Sequence, residues 1–315
     1  MPSDLPASAA TSAPIDLAQM RRLFSNPSRV TESEFLRREI AARMHERLML
    51  VRLVPARVLD AGCGVGADLP ALQKHYPQAQ VIGLDAAPAM LLAARSGQHA
   101  ALSSMNRWLA QWLPARMSAA RGLEAGLLCA NLGALPFGAS TLDLVWSNLA
   151  LHWHPQPDRV FAEWRRALRV DGLLMFSCFG PDTFRQLRTA FVTAGVAASG
   201  RVMPFVDMHD FGDMLVNAGF ATPVMDMETI TVTYETVERL LADVRAWGGN
   251  PLATQARGLA GRRMWAGVYA ALEATRDVDG RIPLTFEVIY GHAFRPVSRM
   301  TASGESIIRV DLRPK

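Results

Sequence analysis

Residues 57–66 read Arg57-Val58-Leu59-Asp60-Ala61-Gly62-Cys63-Gly64-Val65-Gly66. A short apolar run that ends on an acid and passes directly into alternating glycines predicts a β-strand and a sharp turn, since glycine reaches the positive φ such turns need. The residues that follow, to about Tyr76, read as a helix, and Val81-Ile82-Gly83-Leu84-Asp85 reads as a second strand. Strand, turn, helix and strand in that order open a parallel α/β sheet.

Downstream, strand-like segments recur at 127–130, 142–147 and 173–178, with a helical pattern at 157–168 between the last two. Past Gly180 the sequence predicts a helix over 207–218 stopped by Gly219, a strand with a bulge over 222–234, mostly helix over 235–278 and a strand over 283–290. Upstream, Leu36, Ile40, Met44 and Leu48 recur every four residues, which predicts one amphipathic helix over 35–53. Leu102, Met105, Leu109 and Trp112 predict an inserted helix within 97–126. The expected architecture is a doubly wound, mostly parallel, seven-stranded α/β sheet with an N-terminal helical lid and helical insertions. The expected divisions are a disordered tail (1–16), the lid (17–54), a cofactor-binding core (55–180), substrate-side helices with a final antiparallel strand pair (181–296) and a C-terminal tail (297–315).

Composition narrows the function classes. The chain has 315 residues, half of them hydrophobic and a fifth charged, which excludes a disordered or fibrous protein. A net charge of +4 over this length does not mark a nucleic-acid binder. Of the 33 basic residues only Lys74 and Lys315 are lysines, so the cations are almost all planar guanidinium groups suited to carboxylate and phosphate. Cys63, Cys129 and Cys178 form no C-x-x-C pair, which argues against a zinc site or a disulfide framework and for a reducing cytoplasm. No run approaches the ~18 apolar residues of a membrane span, and 1–14 lack the apolar centre of a signal peptide.

The chemistry centres on the first turn. Its amide groups and glycines let a ligand approach the backbone closely, and Asp85, at the end of the second strand, is placed to accept the hydroxyls of a ribose. A dinucleotide fingerprint needs its third glycine one position later, whereas here an acid precedes G-x-G-x-G. S-adenosylmethionine has an ammonium group and no pyrophosphate, and the acidic run resembles motif I of class I S-adenosylmethionine-dependent methyltransferases. That resemblance implies cofactor contacts at Asp60, Gly62, Cys63, Gly64, Gly66, Asp85, Ala86, Asn131, Leu132, Ser147 and Asn148.

Later motifs are more specific. Ser147-Asn148-Leu149-Ala150-Leu151-His152-Trp153, Phe179-Gly180-Pro181-Asp182-Thr183 with Leu187-Arg188, and Pro283-Leu284-Thr285 leading to Tyr290-Gly291-His292-Ala293-Phe294 together resemble the malonyl-[acyl-carrier protein] O-methyltransferases of biotin synthesis. The resemblance implies esterification of the free carboxylate of a malonyl thioester, carried by acyl carrier protein or coenzyme A, in the cytoplasm and with no nucleic acid, membrane or metal involved. A carboxylate with a reference pKa near 4 is already ionised, so no general base is needed and none is assigned. His152, Trp153 and His292 remain candidates to line the reacting centre, and Arg21, Arg22, Arg185 and Arg188 to meet the malonyl carboxylate or an acidic carrier, with Arg262 and Arg263 next in line. Two departures stand out: no tyrosine lies between Phe24 and Phe35, and Asn131 replaces the acid expected after the third strand. The same stretches also resemble a methyltransferase-fold assembly factor of respiratory complex I that hydroxylates arginine, but no basic residue precedes Arg21 to form a transit peptide. A vestigial binding module is disfavoured, because Asp60, the glycines and Asp85 are all present.

Overall fold

Leu59, Val145 and Leu174 pack on one face of a central sheet while their neighbours Val58, Leu144 and Leu173 pack on the other, the two-residue alternation of a sheet covered on both sides. The computed structural model describes residues 15–28, 34–109, 125–247, 250–253 and 261–297. In chain order they form α1 (Leu17–Leu23), α2 (Glu34–Leu48), β1 (Arg57–Ala61), α3 (Leu69–His75), β2 (Gln80–Asp85), α4 (Pro88–Leu109), β3 (Gly126–Cys129), β4 (Leu142–Asn148), a 3₁₀ turn (Leu151–Trp153), α5 (Pro157–Ala167), β5 (Leu168–Phe179), α6 (Arg185–Thr193), α7 (Met208–Asn217), β6 (Ala221–Tyr234), α8 (Val237–Ala246), α9 (Arg262–Glu273) and β7 (Ile282–Phe294).

The strands make one seven-stranded sheet in the order β3-β2-β1-β4-β5-β7-β6. β1 to β5 are parallel, and β7 runs antiparallel between β5 and β6. The chain reverses its direction of travel across the sheet between β1 and β4, and the crevice beyond their carboxyl ends is where an open α/β sheet receives a ligand. α2, α6, α8 and α9 cover one face, whose core includes Trp146, Phe286 and Trp247. α5 and α7 cover the other, with Phe161, Trp164, Phe176 and Phe211 in mutual edge or tilted contacts.

Three boundaries differ from the sequence reading. α2 stops at Leu48 and not at 53, because Met49 and Leu50 meet no packing surface and stay exposed. The helix expected as an insertion is continuous with the one after β2 as far as Leu109, and the rest of that stretch, 110–124, lies outside the described residues. β5 begins at Leu168 and takes a register shift before Leu173, with Asp171 at φ 60°. The bulge expected in β6 falls between Ala221 and Val224, where Thr222 has φ 45°. The expected tails, 1–16 and 297–315, lie outside the described residues except for Ile15, Asp16 and Val297, and the first is shorter than expected: Ile15 is buried and bridges Leu252, and Asp16 caps α1 by accepting from the Ala18 and Gln19 N–H groups.

The most distinctive motifs of the sequence meet in space. After β5, Gly180 approaches Glu287 of β7 so closely that an added Cβ would lie 2.6 Å from the Glu287 Cδ. The Glu287 carboxylate accepts from the Asp182 N–H at 2.6 Å, while the Thr183 hydroxyl donates to the Glu287 carbonyl and accepts from its N–H, both at 3.0 Å. Gln186 bridges Thr285 in the same way, donating from Nε2 to the hydroxyl and accepting from the backbone N–H at Oε1. This lock sets the loop between β5 and α6 on the sheet. Thr183→Val leaves the Glu287 N–H unpaired in a buried site, so unfolding in urea is expected to show a loss of about 1–3 kcal/mol; an unchanged midpoint would show that the lock contributes nothing.

Candidate functional site

The cleft lies over the carboxyl ends of β1, β2 and β4 and is roofed by α1 and α2. Its floor is the first turn. Gly62 has φ +86°, and a Cβ there would stand 2.2 Å from that of Ala150, while Gly64, at φ +54°, presents its backbone to the cleft with nothing in front of it. The Gly62 and Cys63 N–H groups both donate to the Leu84 carbonyl, which pins the turn to β2.

Three carboxyl groups converge on this floor. Asp60 is buried, with one oxygen lacking a hydrogen-bond partner. Burial first, and then the charges of Asp68 and Asp85, push it well above the usual carboxylate range. Asp68, ahead of α3, caps none of that helix's N–H groups; its Oδ2 accepts from Trp146 Nε1 at 3.0 Å and Asn148 Nδ2 at 3.2 Å. Burial raises it too, against those two bonds. Asp85 accepts from the Gly64 N–H at 2.9 Å and the Ala87 N–H at 2.8 Å, one on each oxygen, and keeps a second lone pair on each. Asp68 was missing from the sequence reading. An acid just before a helix looks like a cap, and only the fold turns it inward.

Of the other expected cofactor contacts, Cys63, Ala86, Leu132 and Asn148 line the cleft. Burial, then Asp60 and Asp85, raise the Cys63 thiol, so it is a small wall residue and not a nucleophile. Asn131 lines the cleft as well, with its amide oriented: Oδ1 accepts from the Gly133 N–H at 2.7 Å and lies 3.1 Å from His154 Nε2. His154 Nδ1 lies 3.1 Å from both the N–H and the carbonyl of Gln156, so the proton is placed by the other nitrogen: Asn131 Oδ1 is an acceptor, so Nε2 donates to it, which leaves the Asn131 Nδ2 group free of that pairing. His154 lines the cleft, and the sequence reading passed over it in favour of its neighbour.

The remaining expectations need correction. Ser147 is buried behind the cleft, its hydroxyl donating to the Ala61 carbonyl at 2.8 Å, and so ties β4 to β1. Gly66, at φ +76°, turns the chain against Leu69 and Ala94 and does not line the cleft. His152 packs among Trp153, Phe179 and Phe205; burial, then the charge of Arg37, drives it down to about 3, so it stays neutral at working pH and is withdrawn as a catalytic candidate. Trp153 does line the cleft, its ring 5.2 Å from that of Phe24 in the lid. His292 pairs with Met175, four residues short of the carboxyl end of β5, so it sits too far down the sheet to reach the cleft. Arg188 donates to the carbonyls of Thr183, at 2.6 Å, and Pro181, holding the loop after β5, and Arg185 is exposed beside Asp182; neither faces the cleft. Arg262 and Arg263 are exposed at the start of α9.

On the lid side the cleft is basic. Arg21, Arg37 and Arg38 line it across from the carboxyl groups, together with one acid, Glu34, which pairs with Arg38 at 2.9 Å and leaves Arg21 and Arg37 as the excess positive charge. Burial lowers the Arg37 guanidinium to about 10, still charged at neutral pH, and it lies 5.1 Å from the Trp247 ring centre. Asn148 links the two sides, donating to the Arg37 carbonyl and to Asp68 and accepting from Ser177. Among the described residues no cluster of His, Cys, Asp or Glu is arranged to hold a metal ion, and no helix is long and apolar enough to cross a membrane. Gly62→Ala is expected to lose about 1–3 kcal/mol of stability through its positive φ and the Ala150 clash. The double variant with Ala150→Gly should recover the clash component in a thermal-unfolding cycle, and strict additivity would contradict the contact.

Comparison with known proteins identifies the fold and the family. A model of the methyltransferase domain matches residues 59–176. The YcgJ protein of Bacillus subtilis superposes with a TM-score of 0.53 at 16% identity, covering 81% of this chain and 98% of that one, which establishes the shared fold. The malonyl-[acyl-carrier protein] O-methyltransferase of Laribacter hongkongensis is 48% identical over 84% of each chain. That of Gallionella capsiferriformans is 43% identical over 96% of this chain and 98% of its own. At this identity over nearly the whole length, the chain belongs to the malonyl-[acyl-carrier protein] O-methyltransferase family.

Proposed function

We propose that the protein transfers a methyl group from S-adenosylmethionine to the free carboxylate of a malonyl thioester held by acyl carrier protein, an early step of biotin synthesis. The observation that carries this is the end-to-end match to relatives named for that reaction. The cleft supports it with its polarity: acids on the strand side suit a cationic donor, and arginines on the lid side suit an anionic acceptor.

When bound, S-adenosylmethionine supplies an activated methyl group, which the substrate carboxylate takes, leaving S-adenosylhomocysteine. In this reading Asp60 and Asp68 hold the ammonium group, which gives the unpartnered Asp60 oxygen its partner. Asp85 accepts the ribose hydroxyls on its remaining lone pairs, and the Asn131 amide donates to a ring nitrogen of the base. Arg37, with Arg21, draws the malonyl carboxylate to the lid side of the cleft, where Arg38 is already paired with Glu34. Trp153 and Phe24 close the cleft against water, which strengthens these charge interactions. No proton is removed, so the chain needs no base here. No observation on the cleft favours the hydroxylase reading.

Incubation with labelled S-adenosylmethionine and malonyl carrier protein is expected to give a base-labile methyl ester; label that survives mild alkali would overturn the reaction class. Asp85→Ala should weaken cofactor binding by about 1.5–3 kcal/mol by calorimetry, the size of charge-assisted bonds to a diol. The raised carboxyl of Asp60 must lose its proton to pair with an ammonium group, so cofactor affinity should fall as pH falls through that raised value. Asp60→Asn should bind weakly with a flatter pH dependence, while wild-type kcat stays level from about pH 6 to 8 because no histidine titrates in the reaction. A kcat that falls with a histidine-like midpoint would contradict the base-free mechanism.

A further inference from the structure

α1 separates two cavities. Met20, Arg21 and Phe24 face the cofactor cleft, while Gln19, Arg22 and Leu23, offset along the same helix, face a second cavity of about 630 Å³. That cavity is walled by α6, α8 and α9: Leu187 and Phe191 from the first, Leu241 and Val244 from the second, Trp265 from the third. Trp265 packs 5.9 Å from Phe191, which gives one side of the cavity an aromatic wall.

The charge of this apolar cavity has one sign. Arg22, Arg201 and Arg245 line it, and among the described residues no Asp or Glu does. Arg201 is half-buried, its guanidinium 5.9 Å from the Phe191 ring centre, within reach of a cation–π contact. The segment that carries Arg201 is anchored by Asn250, whose Nδ2 donates to the Gly200 carbonyl at 2.9 Å. Behind it, Met203 lines the cavity and packs with Ile15, Met20 and Leu252 at the base of α1, so the cavity abuts the roof of the cleft. An occupant complementary to this lining is long and mostly apolar, carries a single anionic group, and has one end directed past α1.

We infer that this cavity binds the phosphopantetheine arm of the acyl carrier protein, with Arg201 and Arg22 on its phosphodiester and the acyl end directed past α1 into the cleft. The inference rests on the proposed reaction and assigns to it a site separate from the cofactor's. It also replaces Arg185 and Arg188 as the groups that meet the carrier. The arm's methyl and methylene groups suit the wall of Leu187, Phe191 and Trp265, and a phosphodiester suits a planar guanidinium.

The test measures KM and kcat with malonyl carrier protein, malonyl-coenzyme A and phosphate-free malonyl-pantetheine, in wild type, Arg201→Ala and Val244→Trp. Arg201→Ala is expected to raise KM about tenfold for the carrier substrate, the loss of one charge-assisted contact, and much less for malonyl-pantetheine. Val244→Trp, which fills the cavity, should raise KM for both, with cofactor affinity kept in each variant as evidence of folding. For Arg201→Ala, equal penalties on the phosphorylated and phosphate-free substrates, or none, would overturn the inference, as would an unchanged KM in Val244→Trp. A lower wild-type KM for malonyl-coenzyme A than for the carrier would overturn the assignment to a carrier. Titration with holo-carrier and with apo-carrier lacking the arm separates this inference from the proposed reaction. If wild type binds holo over apo carrier and Arg201→Glu abolishes the difference, the arm site stands even if no malonyl thioester is methylated. If esterification is confirmed and Arg201→Glu still distinguishes holo from apo carrier, the arm site alone is wrong.

Discussion

Asp60, Asp68 and Asp85 are drawn out of water within one small region, and removing a carboxylate from water without a partner is among the costliest things a fold can do. Much of the surrounding structure manages that cost. Asp85 is met by the backbone of Gly64 and Ala87, and Asp68 by the Trp146 indole and the Asn148 amide. Asp60 keeps an oxygen with no partner. The sheet supplies the rigidity, since β1, β2 and β4 end side by side and leave the carboxyl groups little room to separate. A cation entering the cleft relieves several unfavourable interactions at once, which is how a site of this kind selects a charged donor over a neutral nucleoside.

The opposite wall is built by a different device. α1 and α2 carry arginines over the strand ends, and Asn148 ties the Arg37 backbone to the acidic floor, so the two charged walls are set against each other through one amide. Charges arranged this way orient two ligands of opposite sign before either reacts. Proximity and partial desolvation are all that methyl transfer to an ionised carboxylate requires. Phe24 packed on Trp153 adds an aromatic stretch to the cleft wall, and His152 packs behind it among Phe179 and Phe205. His152 thus acts as a flat apolar ring, its basicity suppressed by its surroundings.

The loop after β5 shows why the least general motifs of the chain hold a shape and not a reacting group. Gly180 is required by the Glu287 side chain beside it, Thr183 closes a two-way bond with the backbone of β7, and Arg188 binds the carbonyls of the turn between them. Together they hold α6, and with it Leu187 and Phe191, at the wall of the second cavity. Arg188 looked like a docking charge because a guanidinium near a strand end usually faces solvent. Here it satisfies buried carbonyls.

By itself the sequence determined the sheet, its first turn and the pairing of Asp60 with Asp85, because each of these is a local pattern: apolar runs with a period of two, glycines where φ is positive, an acid at a strand end. It also carried the family resemblance, through the motifs at 147–153, 179–183 and 283–294, and relatives of that family match the chain over most of its length. Only the tertiary structure decided which polar residues face the cleft. Ser147 and Asn148 are adjacent in the chain, yet one is buried as a tie between strands and the other lines the cleft; His152 and His154 are two residues apart, yet one is packed away and the other holds Asn131. Side-chain direction at a strand end depends on which helix crosses above it. The crossings here are made by α1 and α2, from the start of the chain, over strand ends that come from as far as residue 148. No local pattern records such contacts, so Asp68, His154 and the arginine-lined cavity behind α1 emerged only from the fold.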